Sequence, residues 1–108
     1  MRKTFILITI FAGAVLIPGI ACTEKKETKR GEALFKQYCS PCHTDGGNSV
    51  NPKKTLLKKD REANGVKTAS DIIGKMRNPG PGMTKFDDKT IPDMDANEIA
   101  EYILTTFK

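Results

Sequence analysis

Three side chains with useful chemistry lie within five positions of this chain: Cys39, Cys42 and His43, in the stretch "CSPCH". The chain has three cysteines and a single histidine, so most of its thiol and imidazole groups are concentrated here. Two thiols separated by two residues and followed directly by an imidazole allow three interpretations. They form a redox-active dithiol, a corner of a zinc site, or an attachment site for haem.

The dithiol and zinc interpretations fit the surrounding sequence poorly. Exported disulfide oxidoreductases carry Cys-x-x-Cys on a sheet-based fold, at the start of a helix that follows a strand. Here a helical pattern precedes the cysteines, and no segment alternates polar and apolar residues as a strand does. A structural zinc ion needs four ligands, usually in two separated pairs. The chain offers one pair, an adjacent histidine and the distant Cys22.

Haem attachment uses every residue of the motif. Each thiol adds to one vinyl group of the porphyrin, and the histidine that follows presents its imidazole to the iron. A large apolar cofactor also supplies core to a 108-residue chain with five phenylalanines, two tyrosines and no tryptophan. The motif therefore predicts one c-type haem, attached through Cys39 and Cys42, with His43 as an iron ligand.

The N-terminus has the pattern of a secretory signal peptide. Arg2 and Lys3 precede the apolar run 5–17, which is shorter than the about 20 residues that span a bilayer. We expect residues 1–21 to be the signal peptide of an exported protein. Residues 22–29 are charged and are expected to form a flexible tether, and residues 30–108 to form one domain.

Cys22 follows this signal pattern directly and precedes the charged tether, as in bacterial lipoproteins whose N-terminal cysteine carries lipid. A lipid anchor at Cys22, with Thr23 next, predicts the periplasmic side of the outer membrane. Gly19 stands where such signals usually have leucine, and the stretch "GIA" also suits ordinary signal peptidase. A soluble periplasmic protein therefore stays an alternative.

Apolar periodicity predicts an all-α domain with long loops. The expected helices are "GEALFKQYCS", a short one within "KKTLLKKDREANGV", "DIIGKMRN" after the N-cap Ser70, and "ANEIAEYILTTF" after the capping pair Asp95 and Glu98. Prolines and glycines make "NPGPGMTKF" an extended loop.

Loss of Arg2 and Lys3 with the signal peptide leaves 16 basic and 13 acidic residues, which lowers the formal net charge from +5 to +3, and no basic run is interleaved with aromatic residues. This argues against a nucleic-acid partner. The lysines and arginines between Lys53 and Arg77 are expected to form a solvated face.

Beyond the haem motif, residues 30–107 resemble a class I c-type cytochrome, and more narrowly the cytochrome c6 subgroup. The resemblance rests, in order, on "GEALFKQYCSPCH", "GGNSVNPKKTLLKKD" with "ANGV", "NPGPGMTKF" and "DANEIAEYIL". Thr84 departs from the proline that often follows the methionine in this family. The resemblance implies a small cytochrome c fold of three to five helices around one covalently bound haem, and one-electron transfer.

The resemblance also assigns residues. Cys39 and Cys42 match the thioether anchors, His43 the proximal ligand and Met83 the distal ligand. Gly31 and Phe35 match the place where the first helix crosses the last, opposite Tyr102.

Met83 also sits in the one loop whose glycines let the backbone approach a macrocycle closely. Met76 lies on an apolar helix face and is expected to fill the core, and Met94 is expected to pack at the start of the last helix. A histidine and methionine pair raises the reduction potential and leaves no iron position for substrate.

We therefore expect a monomeric electron carrier, not an enzyme, that meets redox protein partners transiently at the haem edge. The alternatives are a haem-based gas sensor or peroxidase-like enzyme, in which Met83 would dissociate, and a thiol-disulfide oxidoreductase.

Overall fold

The computed structural model of the protein describes residues 13–15 and 23–108. Four α-helices follow one another as α1 (Thr23–Tyr38), α2 (Lys58–Ala63), α3 (Ala69–Arg77) and α4 (Asp93–Thr106), with a 3-10 turn over Thr44–Gly46. These residues contain no β-strand, so the prediction of an all-α fold is confirmed. In this part of the chain no helix combines the length and the apolar content needed to cross a membrane.

Helix α1 begins at Thr23, within the segment 22–29 that the sequence predicts to be a tether. The segment is rich in lysine and glutamate, which have high helix propensity, and it contains no glycine or proline. Cys22 and most of the expected signal peptide, residues 1–12 and 16–21, lie outside the described residues. The division into signal peptide, tether and domain stays a prediction.

Helices α1 and α4 cross at Gly31. A Cβ atom at this position would lie 2.9 Å from the Cβ of Tyr102 and would collide with the carbonyl oxygen of Glu98. One turn further along α1, the ring of Phe35 packs against the ring of Tyr102, with their centroids 5.3 Å apart. The expected crossing of the first and last helices is confirmed, and glycine is what allows the two backbones to come so close.

The start of α4 differs from the sequence prediction. The helix begins at Asp93 after Pro92, and no side chain caps it, so the predicted capping pair is wrong. The carboxylates of Asp95 and Glu98 instead face Arg30 on α1, and Arg30 forms ion pairs with both. Met94 was expected to pack against the helix start, but it is 75% exposed.

The start of α3 is capped by Thr68 and not by the predicted Ser70. The Asp71 carboxylate accepts the backbone N–H groups of Lys67 and Thr68 at 2.9 and 3.0 Å, and the Thr68 hydroxyl accepts the N–H of Asp71 at 3.2 Å. Backbone hydrogen bonds to the carboxylate lower the pKa of Asp71. This reciprocal pair of bonds satisfies two of the free N–H groups of the first turn, those of Thr68 and Asp71, which fixes the start of α3.

The core lies between α1, α3 and α4 and includes the C-terminal Phe107. The Phe107 ring covers Gly46, where an added Cβ would meet its Cδ1 atom at 2.5 Å and where φ is +78°. This close contact holds the turn after the cysteine motif against the core. The buried apolar residues are Phe35, Ile72, Met76, Ile91, Ala96, Ile99, Ala100, Ile103 and Phe107.

Candidate functional site

The cysteine motif forms a tight turn at the C-terminal end of α1. The Cys39 N–H donates to the Phe35 carbonyl at 2.8 Å, which extends the helical hydrogen bonding by one residue. The N–H groups of Cys42 and His43 then both donate to the Cys39 carbonyl, at 3.1 and 2.9 Å. The turn leaves Cys39 half-buried and Cys42 exposed.

The His43 ring is oriented by a backbone carbonyl. Its Nδ1 atom lies 2.7 Å from the carbonyl oxygen of Gly47. A carbonyl oxygen only accepts hydrogen bonds, so Nδ1 carries the proton in this arrangement and the lone pair lies on Nε2. Metal-bound histidines are commonly held in this way, with one nitrogen donating to the protein and the other free for the metal.

Met83 lies in the loop 78–92 that joins α3 to α4. The turn before it is held by a hydrogen bond from the Met83 N–H to the Gly80 carbonyl, at 3.4 Å. Gly82 has φ of +88°, and a Cβ on it would lie 2.9 Å from the Cγ1 of Val50. The loop that carries Met83 therefore touches the loop that follows His43, and glycine is required at the contact.

The predicted site residues share one cavity. A volume of about 290 Å³ is lined by Cys39, Cys42, His43 and Met83 together. Two thiols, an imidazole and a thioether around one largely apolar space match the groups that attach and ligate a c-type haem. The apolar lining comes from Val50, Leu56, Val66, Ile72, Met76, Pro81, Phe86 and Ile103. Cys22, the remaining predicted site residue, lies outside the described part of the chain.

The protonation of Cys39 argues against the dithiol interpretation. Burial raises the pKa of the Cys39 thiol to about 11, whereas redox-active dithiols depend on a cysteine whose pKa is lowered. At neutral pH this thiol is therefore protonated and a poor nucleophile towards disulfides.

Within residues 13–15 and 23–108, no three His, Cys, Asp or Glu side chains cluster as metal ligands.

The three methionines of the domain differ in position. Met94 is exposed and does not line the cavity. Met76 lines the cavity but is 3% exposed and packs in the core cluster with Ile72, as the apolar face of its helix predicts. Met83 lines the cavity from a loop, and its side chain is half-buried.

Arg61 is a residue of the cavity wall that sequence reasoning missed. It was expected on a solvated basic face, but it is 5% exposed. Its Nε donates to the Leu56 carbonyl at 2.7 Å and its Nη2 to the Phe107 carbonyl at 3.3 Å, so it ties α2 to the C-terminus. Nothing in the sequence distinguishes it from the neighbouring exposed lysines, because its burial follows from contacts with residues far along the chain.

Charge is distributed unevenly around the cavity. Residues 53–77 contain eight basic and three acidic residues, whereas residues 87–101 contain one basic and six acidic residues. The charged residues that the cavity wall takes from the basic segment are Lys54, Asp60, Arg61 and Lys75, and the wall takes no residue from the acidic segment. The cavity therefore opens on the positive side of the molecule.

Comparison with known proteins shows which family this chain resembles. The family model described as "Cytochrome C oxidase, cbb3-type, subunit III" matches residues 26–103. Cytochrome c6 from Synechocystis sp. is 34% identical over 95 residues, which cover 88% of this chain and 78% of the relative. Both matches span the cysteine motif and the loop of Met83.

Solved structures with the same fold include the outer membrane cytochrome OmcF from Geobacter sulfurreducens. It is 47% identical, with a TM-score of 0.70, over 72% of this chain and 99% of OmcF. Oxidised cytochrome c6A from Arabidopsis thaliana is 30% identical, with a TM-score of 0.66, over 73% of this chain and 88% of the relative. The expected cytochrome c fold and its haem are confirmed. The chain belongs to the cytochrome c6-like class I c-type cytochromes, which are electron carriers with one covalently bound haem.

Proposed function

We propose that Cys39 and Cys42 form the two thioether bonds to the haem, and that His43 and Met83 are the axial ligands of its iron. The observation that carries this proposal is the convergence of all four side chains on one cavity. When bound, the haem supplies a reversible one-electron couple at its iron. The residues of the chain hold it, set its potential and control access to it.

Each ligand has a separate support. The hydrogen bond from Nδ1 to the Gly47 carbonyl keeps Nε2 of His43 available for the iron. The close contact between Gly82 and Val50 brings the loop of Met83 to the opening of the cavity. If His43 and Met83 both bound the iron, no iron position would remain for a substrate, so we propose an electron carrier and not an enzyme or a gas sensor.

The surroundings of the haem favour a high reduction potential. A thioether ligand stabilises the ferrous state relative to a second nitrogen ligand. The apolar wall, which includes the buried Ile72 and Met76, disfavours the extra positive charge of the oxidised site.

We also propose that the protein is exported and held on the periplasmic side of the outer membrane by lipid on Cys22. The support is the signal-like pattern before Cys22 and the 47% identity to OmcF, which is an outer membrane cytochrome. If ordinary signal peptidase cleaves the chain instead, the protein is soluble in the periplasm.

The proposed partners are redox proteins that bind briefly at the opening of the cavity. Since Lys54 and Lys75 lie exposed at this opening, a partner with an acidic surface is favoured. Transient redox complexes use small interfaces, and we propose that the carrier itself is a monomer without a nucleic-acid partner.

The test is made on protein produced in a host that attaches c-type haem. After denaturing electrophoresis, the wild-type band should stain for haem peroxidase activity, and Cys39→Ala with Cys42→Ala should abolish the stain. The holoprotein should take up one electron per chain reversibly in a potentiometric titration. A wild-type band without stain, or ferrous protein that binds carbon monoxide readily, contradicts the proposal.

A further inference from the structure

We infer that Arg77 is a positioning residue for the iron ligand Met83, because its guanidinium closes the loop that carries this methionine. The inference rests on the proposed ligand set and adds a residue that has no contact with the cavity itself. Arg77 is the last residue of α3, and Met83 lies in the loop 78–92 that starts immediately after it.

The part of the loop around Met83 has few bonds of its own. Between Asn78 and Met83 it runs through Pro79, Gly80, Pro81 and Gly82, and of these four only Pro79 is not exposed. The backbone hydrogen bond there, from Met83 N–H to the Gly80 carbonyl, is long at 3.4 Å. The position of Met83 therefore depends on how the loop is fastened further along.

Hydrogen bonds hold the loop to the end of α3 at Phe86 and Ile91. The Phe86 N–H donates to the Met76 carbonyl at 2.9 Å, which returns the chain to the end of α3. On Arg77, Nη1 donates to the Phe86 carbonyl at 3.0 Å and Nη2 donates to the Ile91 carbonyl at 2.9 Å. The guanidinium thus joins the end of α3 to two points of the loop that lie after Met83.

The same group also reaches α4. Its Nη2 lies 2.8 Å from Oδ1 of Asp93, the first residue of that helix. Asp93 is 87% exposed, so this ion pair is screened by water, whereas the Arg77 side chain is 24% exposed. The bonds from Arg77 to the Phe86 and Ile91 carbonyls are part-buried, and Ile91 itself is fully buried. The two carbonyl bonds are therefore the contacts that hold the loop.

Arginine is suited to this role in a way that lysine is not. Its planar guanidinium carries several donors in fixed directions, so one side chain satisfies two carbonyls and a carboxylate at once. Without it, the Phe86 and Ile91 carbonyls lose a charged donor, and the loop samples positions in which the Met83 sulfur is not presented to the iron.

The test is competition between Met83 and an added ligand for the ferric iron. Full-length holoprotein is titrated with imidazole at fixed pH and ionic strength, and the loss of the thioether-to-iron charge-transfer band gives the apparent Kd. Variants Arg77→Gln and Arg77→Lys are compared with wild type. Arg30→Gln is the matched control, since it removes an arginine whose ion pairs join α1 to α4.

A positioning role predicts that Arg77→Gln binds imidazole at least about tenfold more tightly than wild type, since two charged hydrogen bonds are lost. The imidazole affinity of Arg77→Lys should lie between those of wild type and Arg77→Gln, and that of Arg30→Gln should stay within about twofold of wild type. The reduction potential of Arg77→Gln should fall as well, because a loosened thioether destabilises the ferrous state.

An imidazole Kd for Arg77→Gln within about twofold of wild type would overturn the inference. An equal increase in imidazole affinity in Arg77→Gln and Arg30→Gln would also overturn it, because that result indicates general loosening of the domain. If Arg77→Gln gives no holoprotein, the test uses Arg77→Lys instead. An increase in imidazole affinity of less than about threefold in Arg77→Lys then overturns the inference. A wild-type protein without the charge-transfer band would instead overturn the proposed ligand set, and this inference with it.

Discussion

The Nδ1 atom of His43 lies 2.7 Å from the carbonyl oxygen of Gly47, so the ring that faces the cavity is held by the backbone four residues further along. The proton on Nδ1 is engaged in this part-buried hydrogen bond, which spans the turn over Thr44–Gly46. We predict that this proton exchanges slowly with solvent in the ferrous holoprotein. Hydrogen exchange followed by nuclear magnetic resonance measures it, and an Nδ1 signal that disappears as fast as that of free imidazole contradicts the hydrogen bond.

The crossing of α1 and α4 at Gly31 gives a prediction for stability. Gly31→Ala should lower the free energy of unfolding by about 1–3 kcal/mol, because the new methyl group meets backbone and Cβ atoms that can move only with the helices. Gly74→Ala is the matched control, since a Cβ at Gly74, within α3, meets nothing within 4 Å. It should be neutral or stabilise the protein by up to about 1 kcal/mol.

Urea denaturation of the Gly31→Ala and Gly74→Ala holoproteins measures the difference in their free energies of unfolding. A Gly31→Ala variant as stable as Gly74→Ala would contradict the close packing of the two helices.

The positive charge at the opening of the cavity predicts how small redox reagents react. Oxidation by the anionic reagent ferricyanide should slow as salt is added, because the attraction is screened over about 10 Å at 0.1 M ionic strength. Lys75→Gln should slow the reaction at low salt, since Lys75 is exposed at the cavity. Lys89→Gln removes the same charge from the acidic segment and should have a smaller effect.

Stopped-flow rates at several salt concentrations check this prediction. If Lys75→Gln and Lys89→Gln slow oxidation by ferricyanide equally, electrons do not leave through this opening.

Lipid on Cys22 predicts how the protein behaves in membranes. Each buried CH₂ group contributes about 0.8 kcal/mol to membrane binding, so several acyl chains resist extraction by high salt. The wild-type protein should stay with the membrane fraction after a high-salt wash, and Cys22→Ser should be soluble. Release of the wild type by salt alone contradicts lipidation and favours ordinary signal cleavage.

Local patterns in the sequence predict the main helices, and they single out four residues that the structure brings to one cavity. The spacing of Cys39, Cys42 and His43 predicts haem attachment, and the glycines near Met83 predict a loop of close approach. Both are short-range features, so they can be read without knowing the fold. The structure adds the physical reason for Gly31, which is the nearness of Tyr102 on a helix far along the chain.

Contacts between distant residues explain what the sequence did not predict. Arg61 is buried because the Leu56 and Phe107 carbonyls accept its hydrogen bonds, and the second of these lies at the C-terminus. The start of α4 was misplaced because Asp95 faces Arg30 across the helix interface instead of capping its own helix. The burial of Arg61 and the start of α4 both depend on tertiary partners, and such partners override local preferences such as helix capping.

The proposed ligand pair is tested most directly by the ferric absorption spectrum of Met83→Ala, recorded beside those of Met76→Leu and Met94→Leu. Met83 lines the cavity from a loop, Met76 is packed in the core and Met94 is 75% exposed. We predict that Met83→Ala loses the thioether-to-iron charge-transfer band, keeps its covalent haem and binds carbon monoxide when reduced, while both leucine variants keep the band. A band that survives in Met83→Ala and disappears in Met76→Leu would contradict the account.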